Sequence, residues 1–247
     1  MKNKTIRPQV GSAHTTASVR WIDQDGREHE SLATPELLDQ ELYLAKVIRT
    51  GNRYPKQRNY HGWYLFGQTK QHVWVESRLE ASRLAHLDHM DEIVAITSQP
   101  MEITFADGSR HVPDFMTLGA NHRQTVYDVK PMARMTVEVT EQFRKTKAVC
   151  RAVGWGYRVM HEANPVAGRN LNFLSMFKHP AYRAPEHAID RARAAAPGSF
   201  KAVATAMQPT DPALGRSQLL HLLWIRSLDT DLNLRLNDNS TITRSAS

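Results

Sequence analysis

Cysteine is nearly absent from this sequence of 247 residues, since Cys150 is the only one. A single thiol excludes an intrachain disulfide and any zinc site built from several cysteines, and it is typical of a reducing compartment. Long apolar runs are missing as well: the stretch around "LLHLLWI" is far shorter than a membrane span, and no apolar run follows the lysines of "MKNKTIRPQV". We therefore expect a cytoplasmic protein.

An acidic excess is also missing. The chain has 32 Lys and Arg against 25 Asp and Glu, which gives a formal charge of +7. This balance favours polyanionic partners, nucleic acid among them, without excluding others. Hydrophobic residues make up 41% of the sequence, enough to bury a full core in one large domain or two small ones.

The order of predicted elements is that of a mixed α/β protein. Strands "ASVRWI" and "REHESL" flank the turn "DQDG", and "TPELLDQELYLAKVIRTG" predicts a helix with Thr34 as its N-cap. A helix over "WVESRLEASRLAHLDHM" precedes the strands "EIVAI", "MEITF", "SRHVPDFM" and "TVYDVKP". A second helix ends at Gly154, before the strand "GYRVMHE". This order predicts a mixed sheet with helices on its faces.

The segment "NRYPKQRNYHGWYLFGQTK" combines basic and aromatic residues. Such a mixture can stack on bases while it pairs with phosphates. The alternative, which composition alone favours, is a loop whose aromatic side chains pack on the main domain.

The chain changes character beyond about Pro180. Three helices, "PEHAIDRARAAAP", "GSFKAVATAM" and "GRSQLLHLLWIRSL", precede a hairpin of "LNLRL" and "TIT" around the turn "NDNS". Three helices and a hairpin indicate a small winged-helix-like unit. Its third helix is too apolar to read bases convincingly, so a protein dock and simple packing on the main domain remain open alternatives.

Three carboxylates and a lysine stand where predicted elements end or pack. Glu80 lies on the apolar stripe of its helix, one turn after Glu76, and a carboxylate there must be paired, neutralised or liganded. Asp114 follows Pro113 at a strand end, and Asp128 and Lys130 alternate to one face of the next strand. Carboxylates suit Mg²⁺, which activates water and stabilises charge on a phosphoryl oxygen, while a lysine suits the phosphate.

The alternative for each residue taken singly is structural. Asp114 and Asp128 would be turn formers, Lys130 a charge that protects a sheet edge, and Glu80 the partner of a buried arginine. The occurrence of all four in this order favours the functional interpretation. Downstream, four basic residues fall on the exposed part of one helix, where they suit backbone phosphates: Arg144, Lys145, Lys147 and Arg151.

"VPDF" followed by "YDVK" resembles the PD-(D/E)XK nuclease superfamily. The wider context, "VESRLEASRLAHLDHMDEIVAITSQPMEITFADGSRHVPDF", "VYDVKP" and "EQFRKTKAVCRAVGWGYRVMHE", is similar to the TnsA-like endonuclease subunits of bacterial heteromeric transposases. The likeness extends from about residue 61 to 180, and "LLHLLWIRSLDTDLNLRL" further along the chain also resembles the end of such proteins. It implies a catalytic set of Glu80, Asp114, Asp128 and Lys130, with the three carboxylates as metal ligands. Gln99 in "SQP" matches a recurring family position and is a possible accessory residue.

The resemblance implies a restriction-endonuclease-like core that cuts the 5′ ends of a mobile element with Mg²⁺, for which Mn²⁺ can substitute. Implied partners are the double-stranded DNA of the transposon ends, a DDE-type transposase and an ATP-dependent transposition regulator. The predicted domains are an N-terminal extension (1–60), an endonuclease domain (61–180) and a C-terminal domain (181–247). The alternatives are a stand-alone resolvase-like or repair nuclease and a non-catalytic scaffold that bridges DNA and the transposase.

Overall fold

The computed structural model describes residues 17–48, 61–90 and 92–245, and over them the chain has a mixed α/β fold. The strands are β1 (Ser18–Ile22), β2 (Glu28–Leu32), β3 (Gly62–Phe66), β4 (Gln71–Val75), β5 (Ile93–Ser98), β6 (Met101–Thr104), β7 (Arg110–His111), β8 (Phe115–Gly119), β9 (Gln124–Val129), β10 (Gly156–Met160), β11 (Gly198–Ser199), β12 (Leu228–Asp229) and β13 (Thr241–Arg244). The α-helices are α1 (Arg78–Met90), α2 (Val137–Val153), α3 (Pro165–Ser175), α4 (Glu186–Ala195), α5 (Phe200–Met207) and α6 (Pro212–Trp224). None of the helices in these three ranges has the length and apolarity needed to cross a membrane.

The central sheet has the strand order β10-β9-β8-β5, with β9 and β10 parallel and the other pairs antiparallel. On one face, α1 and the β3-β4 hairpin bury an apolar cluster that contains Leu84, Phe66 and Tyr127. On the other face, α2 and a second sheet of order β2-β1-β6-β7 bury a cluster that contains Val126 and Cys150. The central sheet is therefore covered on both faces, and polar groups are left at its ends.

Helix α2 forms where the sequence predicts it. Thr136 caps its start by accepting a hydrogen bond from the Val139 N–H, and Gly154 ends it with φ of 101°. Only glycine adopts that left-handed conformation without strain. The strands at both ends of the DQDG turn and the strands from β5 to β10 are also confirmed. Helix α1 is confirmed from Arg78 onward, whereas Trp74 and Val75, the predicted start of that helix, lie in strand β4.

The helix predicted over residues 34–51 is wrong where the structure describes it. Two short 3₁₀ turns, Pro35–Asp39 and Leu42–Leu44, occupy the segment, and Thr34 makes no side-chain cap. Leu37 and Leu42 are buried five residues apart, a spacing that a continuous helix does not place on one face. Packing between the two sheets decides the conformation here.

The C-terminal residues fold as predicted in their helices but not in their hairpin. Helices α4, α5 and α6 are confirmed, whereas the segment "LNLRL" forms no strand and β13 pairs with β12 and β11 instead. The apolar core of this region also includes Ala85 of α1 and Leu174 of α3, a helix that the sequence analysis missed. The region thus packs directly on the helix that carries Glu80.

Candidate active site

Asp114 lies at the end of the central sheet, where Pro113 interrupts the ladder before β8. Its N–H donates to the Tyr127 carbonyl at 3.0 Å, and its carbonyl accepts from the Gln99 N–H at 2.9 Å. Its carboxylate Oδ2 accepts from the Val129 N–H at 2.6 Å. Bonds to both neighbouring strands fix the backbone and side chain of Asp114 in one position.

The electrostatic surroundings of Asp114 disfavour its negative charge. Burial, followed by the charges of Asp128 and Glu80, raises the pKa of Asp114 well above its ordinary value, and the hydrogen bond from Val129 only partly opposes this. Three carboxylates are therefore close enough to repel one another at this end of the sheet. A bound cation would relieve that repulsion, as it does wherever several carboxylates share a site.

Glu80 is fixed at the start of α1 by a capping box. The Glu80 N–H donates to the Ser77 hydroxyl at 3.1 Å, and that hydroxyl donates to Glu80 Oε1 at 2.7 Å. Glu80 Oε2 accepts from the Glu76 N–H at 2.7 Å. Burial raises the pKa of Glu80 against these bonds, which lower it. The partners of Glu80 are thus a serine and a backbone amide, not the buried arginine of the structural alternative.

Glu76, one helical turn before Glu80, has a feature that the sequence does not reveal. Its Oε1 is buried and has no hydrogen-bond partner. A buried carboxylate oxygen without a donor is costly, so such an atom marks a place where a ligand is missing or strain is stored. The charge of Glu76 also contributes to the raised pKa of Asp114, which places both side chains in the same cluster.

Asp128 is the most enclosed carboxylate of the set, with only 2% of its surface exposed. Its Oδ1 lies 2.8 Å from His111 Nε2, and its Oδ2 accepts from the Tyr157 hydroxyl at 2.5 Å. Both oxygens therefore have donors from the protein. Each carboxylate oxygen has two lone pairs, so these contacts are compatible with the predicted role of Asp128 as a metal ligand.

Lys130 follows the end of β9 and remains half-buried. Its backbone is fixed, since its N–H donates to the Met160 carbonyl at 3.0 Å and its carbonyl lies 2.7 Å from His161 Nδ1. Among the residues that the structure describes, the Lys130 ammonium has no hydrogen bond or ion pair. A cation without a partner among the described residues is available to a phosphate.

Gln99 lies where the chain leaves the central sheet for the second sheet, between β5 and β6. Its φ is 45°, a left-handed conformation that is uncommon for a residue with a side chain, and its side-chain Oε1 is buried without a partner. The backbone bond between Gln99 and Asp114 puts this strained residue beside the carboxylates. The sequence indicated Gln99 only through the family resemblance.

The four basic residues predicted to contact DNA differ in whether they pair with an acidic residue. Arg144 makes two bonds of 2.7 Å to Glu141, and Lys145 pairs with Asp107. Lys147 and Arg151 are exposed and form no ion pair with another described residue. The positive charge available to a phosphate on α2 therefore comes mainly from Lys147 and Arg151.

The ligand types around Asp114 suit a hard divalent cation, because they are carboxylate oxygens, one of which is buried without a hydrogen-bond donor. Over residues 17–48, 61–90 and 92–245, however, no three His, Cys, Asp or Glu side chains are arranged to hold one ion.

Three features were not predicted: the capping box of Glu80, the β3-β4 hairpin and the contacts of Asp128. The sequence contains a signal for the first two. "SRLE" is a capping-box pattern that fixes Glu80, and "GWYLF" with "QHVWV" alternates as a hairpin should. The contacts of Asp128 with His111 and Tyr157 join residues from three strands. Only the folded sheet brings them together.

Comparison of the chain with models of known protein families finds no match, and comparison with curated proteins finds no similar sequence.

Proposed function

We propose that this chain is a Mg²⁺-dependent DNA endonuclease with a restriction-endonuclease-like core. The observation that carries the proposal is the position of the Asp114 carboxylate at the end of the central sheet, where burial, Asp128 and Glu80 raise its pKa and where Lys130 follows the end of β9. A carboxylate cluster with an unpaired lysine suits phosphodiester hydrolysis.

The topology supports this core. Helix α1 is followed by strands β5, β8 and β9, then by α2 and the parallel strand β10. This is the predicted order of helix, strands, helix and strand in a mixed sheet. Asp114 and Asp128 stand at the same end of neighbouring strands in it.

Each side chain has a role in the proposed reaction. Asp114, Asp128 and Glu80 would hold the Mg²⁺, for which Mn²⁺ is an acceptable substitute. When bound, the ion would supply an activated water and stabilise charge on the phosphoryl oxygen. Lys130 would bind the phosphate from the side of Asp128, and Gln99 would hold the Asp114 backbone in place. Lys147 and Arg151 would position the duplex by its backbone.

The resemblance to TnsA-like subunits supports a narrower proposal, that the chain cuts the 5′ ends of a mobile element. A DDE-type transposase would then join the 3′ ends, with an ATP-dependent regulator as a third partner. Residues 61–180 would form the endonuclease domain and residues 181–247 a winged-helix-like domain. The order α4, β11, α5, α6, β12, β13 supports that assignment.

The third helix of this C-terminal unit does not suit base reading. Residues from Gln218 to Trp224 of α6 are buried, and His221 Nδ1 contacts the Phe177 carbonyl at 2.7 Å. The Trp224 carbonyl lies 2.8 Å from Nδ1 of His89 in α1. We therefore assign α6 to packing against the endonuclease core.

A non-catalytic scaffold is the second candidate, and it is favoured because the described residues hold no three His, Cys, Asp or Glu side chains arranged around one ion. The test is cleavage of DNA that carries an element end, with Mg²⁺, by the chain alone and together with its transposase. We expect strong cleavage only with the transposase and none with EDTA. Robust cleavage by the chain alone would favour the stand-alone nuclease, and no cleavage in any mixture would favour the scaffold.

A further inference from the structure

The β3-β4 hairpin presents aromatic rings to solvent on the side opposite its buried residues. Phe66, Val73 and Val75 face the core, whereas Trp63 is 63% exposed. Trp63 is paired with Trp74 across the hairpin, and their ring centroids are 5.1 Å apart. Trp63 is thus exposed beside the half-buried Trp74, and an aromatic face of this kind suits stacking on a planar ring.

This aromatic face adjoins the carboxylate cluster. Strand β4 ends at Val75, so Glu76 is the next residue and Glu80 follows one turn later. His61 stacks on Trp74 with centroids 5.8 Å apart, at the open end of the hairpin. His61 is also close enough to Glu80 to lower the pKa of that carboxyl, against the larger raising effect of burial.

We propose that the face formed by His61, Trp63 and Trp74 stacks on unpaired bases of the DNA next to the phosphate that is cut. This rests on the proposed function, because a phosphate held at Asp114 and Glu80 brings its flanking nucleotides against the neighbouring surface. Indole and imidazole rings stack on any base, since every base has a π-face.

The size of the face decides between a base and a protein partner. Two strands of five residues, about 17 Å long and about 10 Å wide, offer on the order of 170 Å². A stable protein interface needs about 800 Å² from each partner. The hairpin alone is too small for a protein and is suited to a few planar rings.

Tryptophan fluorescence tests the inference directly, because three of the five tryptophans are buried: Trp21, Trp155 and Trp224. The full-length chain is titrated, without divalent metal, with single-stranded oligothymidylate and with an abasic oligomer of the same length and charge. We expect oligothymidylate to quench the emission and to bind more tightly than the abasic oligomer. Equal affinity for the two probes would leave only an electrostatic contact and overturn the proposal.

Variants separate stacking from other effects. Trp63→Ala should weaken oligothymidylate binding roughly 5- to 100-fold, the equivalent of one lost stack. Trp63→Phe should retain most of the affinity, and Leu65→Ala, on the same exposed face but without a ring, should bind as the wild type does. Unchanged affinity in Trp63→Ala would refute the inference. Shielding of Trp63 from iodide without any DNA would show that protein covers the face, and would refute it as well.

The failure of this inference is distinguishable from the failure of the proposed function. If the Trp63→Ala variant cleaves DNA as well as the wild type does, the nuclease site is present but the stacking face is not. If Trp63→Ala weakens base binding but the wild-type chain does not cleave DNA even with its transposase, the stacking face is present and the nuclease site is not.

Discussion

Asp114 and Asp128 lie on neighbouring strands at the same end of one sheet, yet their surroundings are opposite. Asp128 receives hydrogen bonds from His111 and Tyr157, which satisfy both of its oxygens. Asp114 receives one bond, from the Val129 N–H, and otherwise faces other carboxylates. A carboxylate among donors contributes to the fold, whereas a carboxylate among carboxylates costs stability until a cation arrives.

The same contrast separates Glu80 from Glu76 on α1. Glu80 uses both oxygens in a capping box, which explains its position without a metal. Glu76 keeps a buried oxygen that has no donor. The sequence favours Glu80 as the catalytic residue, since it lies nearer the centre of the apolar arc and matches the family glutamate. That assignment stays a prediction, and the geometry makes Glu76 the residue to test beside it.

The largest expected effect on stability is at Asp128. Replacing Asp128 by alanine leaves the half-buried His111 and Tyr157 without their acceptor, so we expect the free energy of unfolding to fall by about 1–3 kcal/mol. Urea unfolding measures this, with the exposed Asp25→Ala as a control that should match the wild type. An Asp128→Ala variant as stable as the wild type would contradict the structural half of the comparison.

The two glutamates provide the next test. Glutamine at position 80 can accept the Glu76 N–H bond with its carbonyl oxygen and donate its amide N–H to the Ser77 hydroxyl. Glu80→Gln should therefore keep its fold while it loses at least about 100-fold in Mg²⁺-dependent cleavage with the partner transposase. Glu76→Gln should keep most of the activity. The reverse pattern would move the catalytic assignment to Glu76, the residue with the unpaired oxygen.

A smaller effect is expected on α2. Lys147→Ala and Arg151→Ala should weaken DNA binding on every sequence and flatten the salt dependence by about 0.9 of a log-log unit for each lost phosphate contact. Arg144→Ala should have less effect, because Glu141 already neutralises its charge. Affinity measured over a salt series checks both. A loss confined to one DNA sequence would contradict backbone recognition.

Local patterns predict much of this fold because they act over a few residues. The apolar arc and Gly154 of α2 are examples, and Asn164 followed by Pro165 was a start signal for α3 that the analysis did not use. Contacts between distant strands are different. The His111–Asp128–Tyr157 cluster depends on strand register, and the 3₁₀ turns at residues 35–44 depend on the space between two sheets. Tyr54 and Tyr60, two aromatic residues of the segment "NRYPKQRNYHGWYLFGQTK", lie outside the described residues.

The raised pKa of Asp114 determines the sign of its contribution to the pH dependence of stability. The folded protein holds a proton on Asp114 more tightly than the unfolded chain does. The resulting stabilisation is complete below the ordinary aspartate pKa of about 4 and is lost as the pH rises through the folded pKa. At neutral pH the ionisation of Asp114 therefore favours the unfolded chain over the fold.

The most direct measurement applies two readouts to Asp114→Asn: Mg²⁺-dependent cleavage of end-containing DNA with the transposase, and the free energy of unfolding without metal. Asparagine can still accept the Val129 bond but carries no charge. We expect cleavage to be abolished while stability at neutral pH rises, a gain that shrinks as the pH falls towards about 4. Retained cleavage, or a variant less stable than the wild type at neutral pH, would contradict the assignment of Asp114 to the active site.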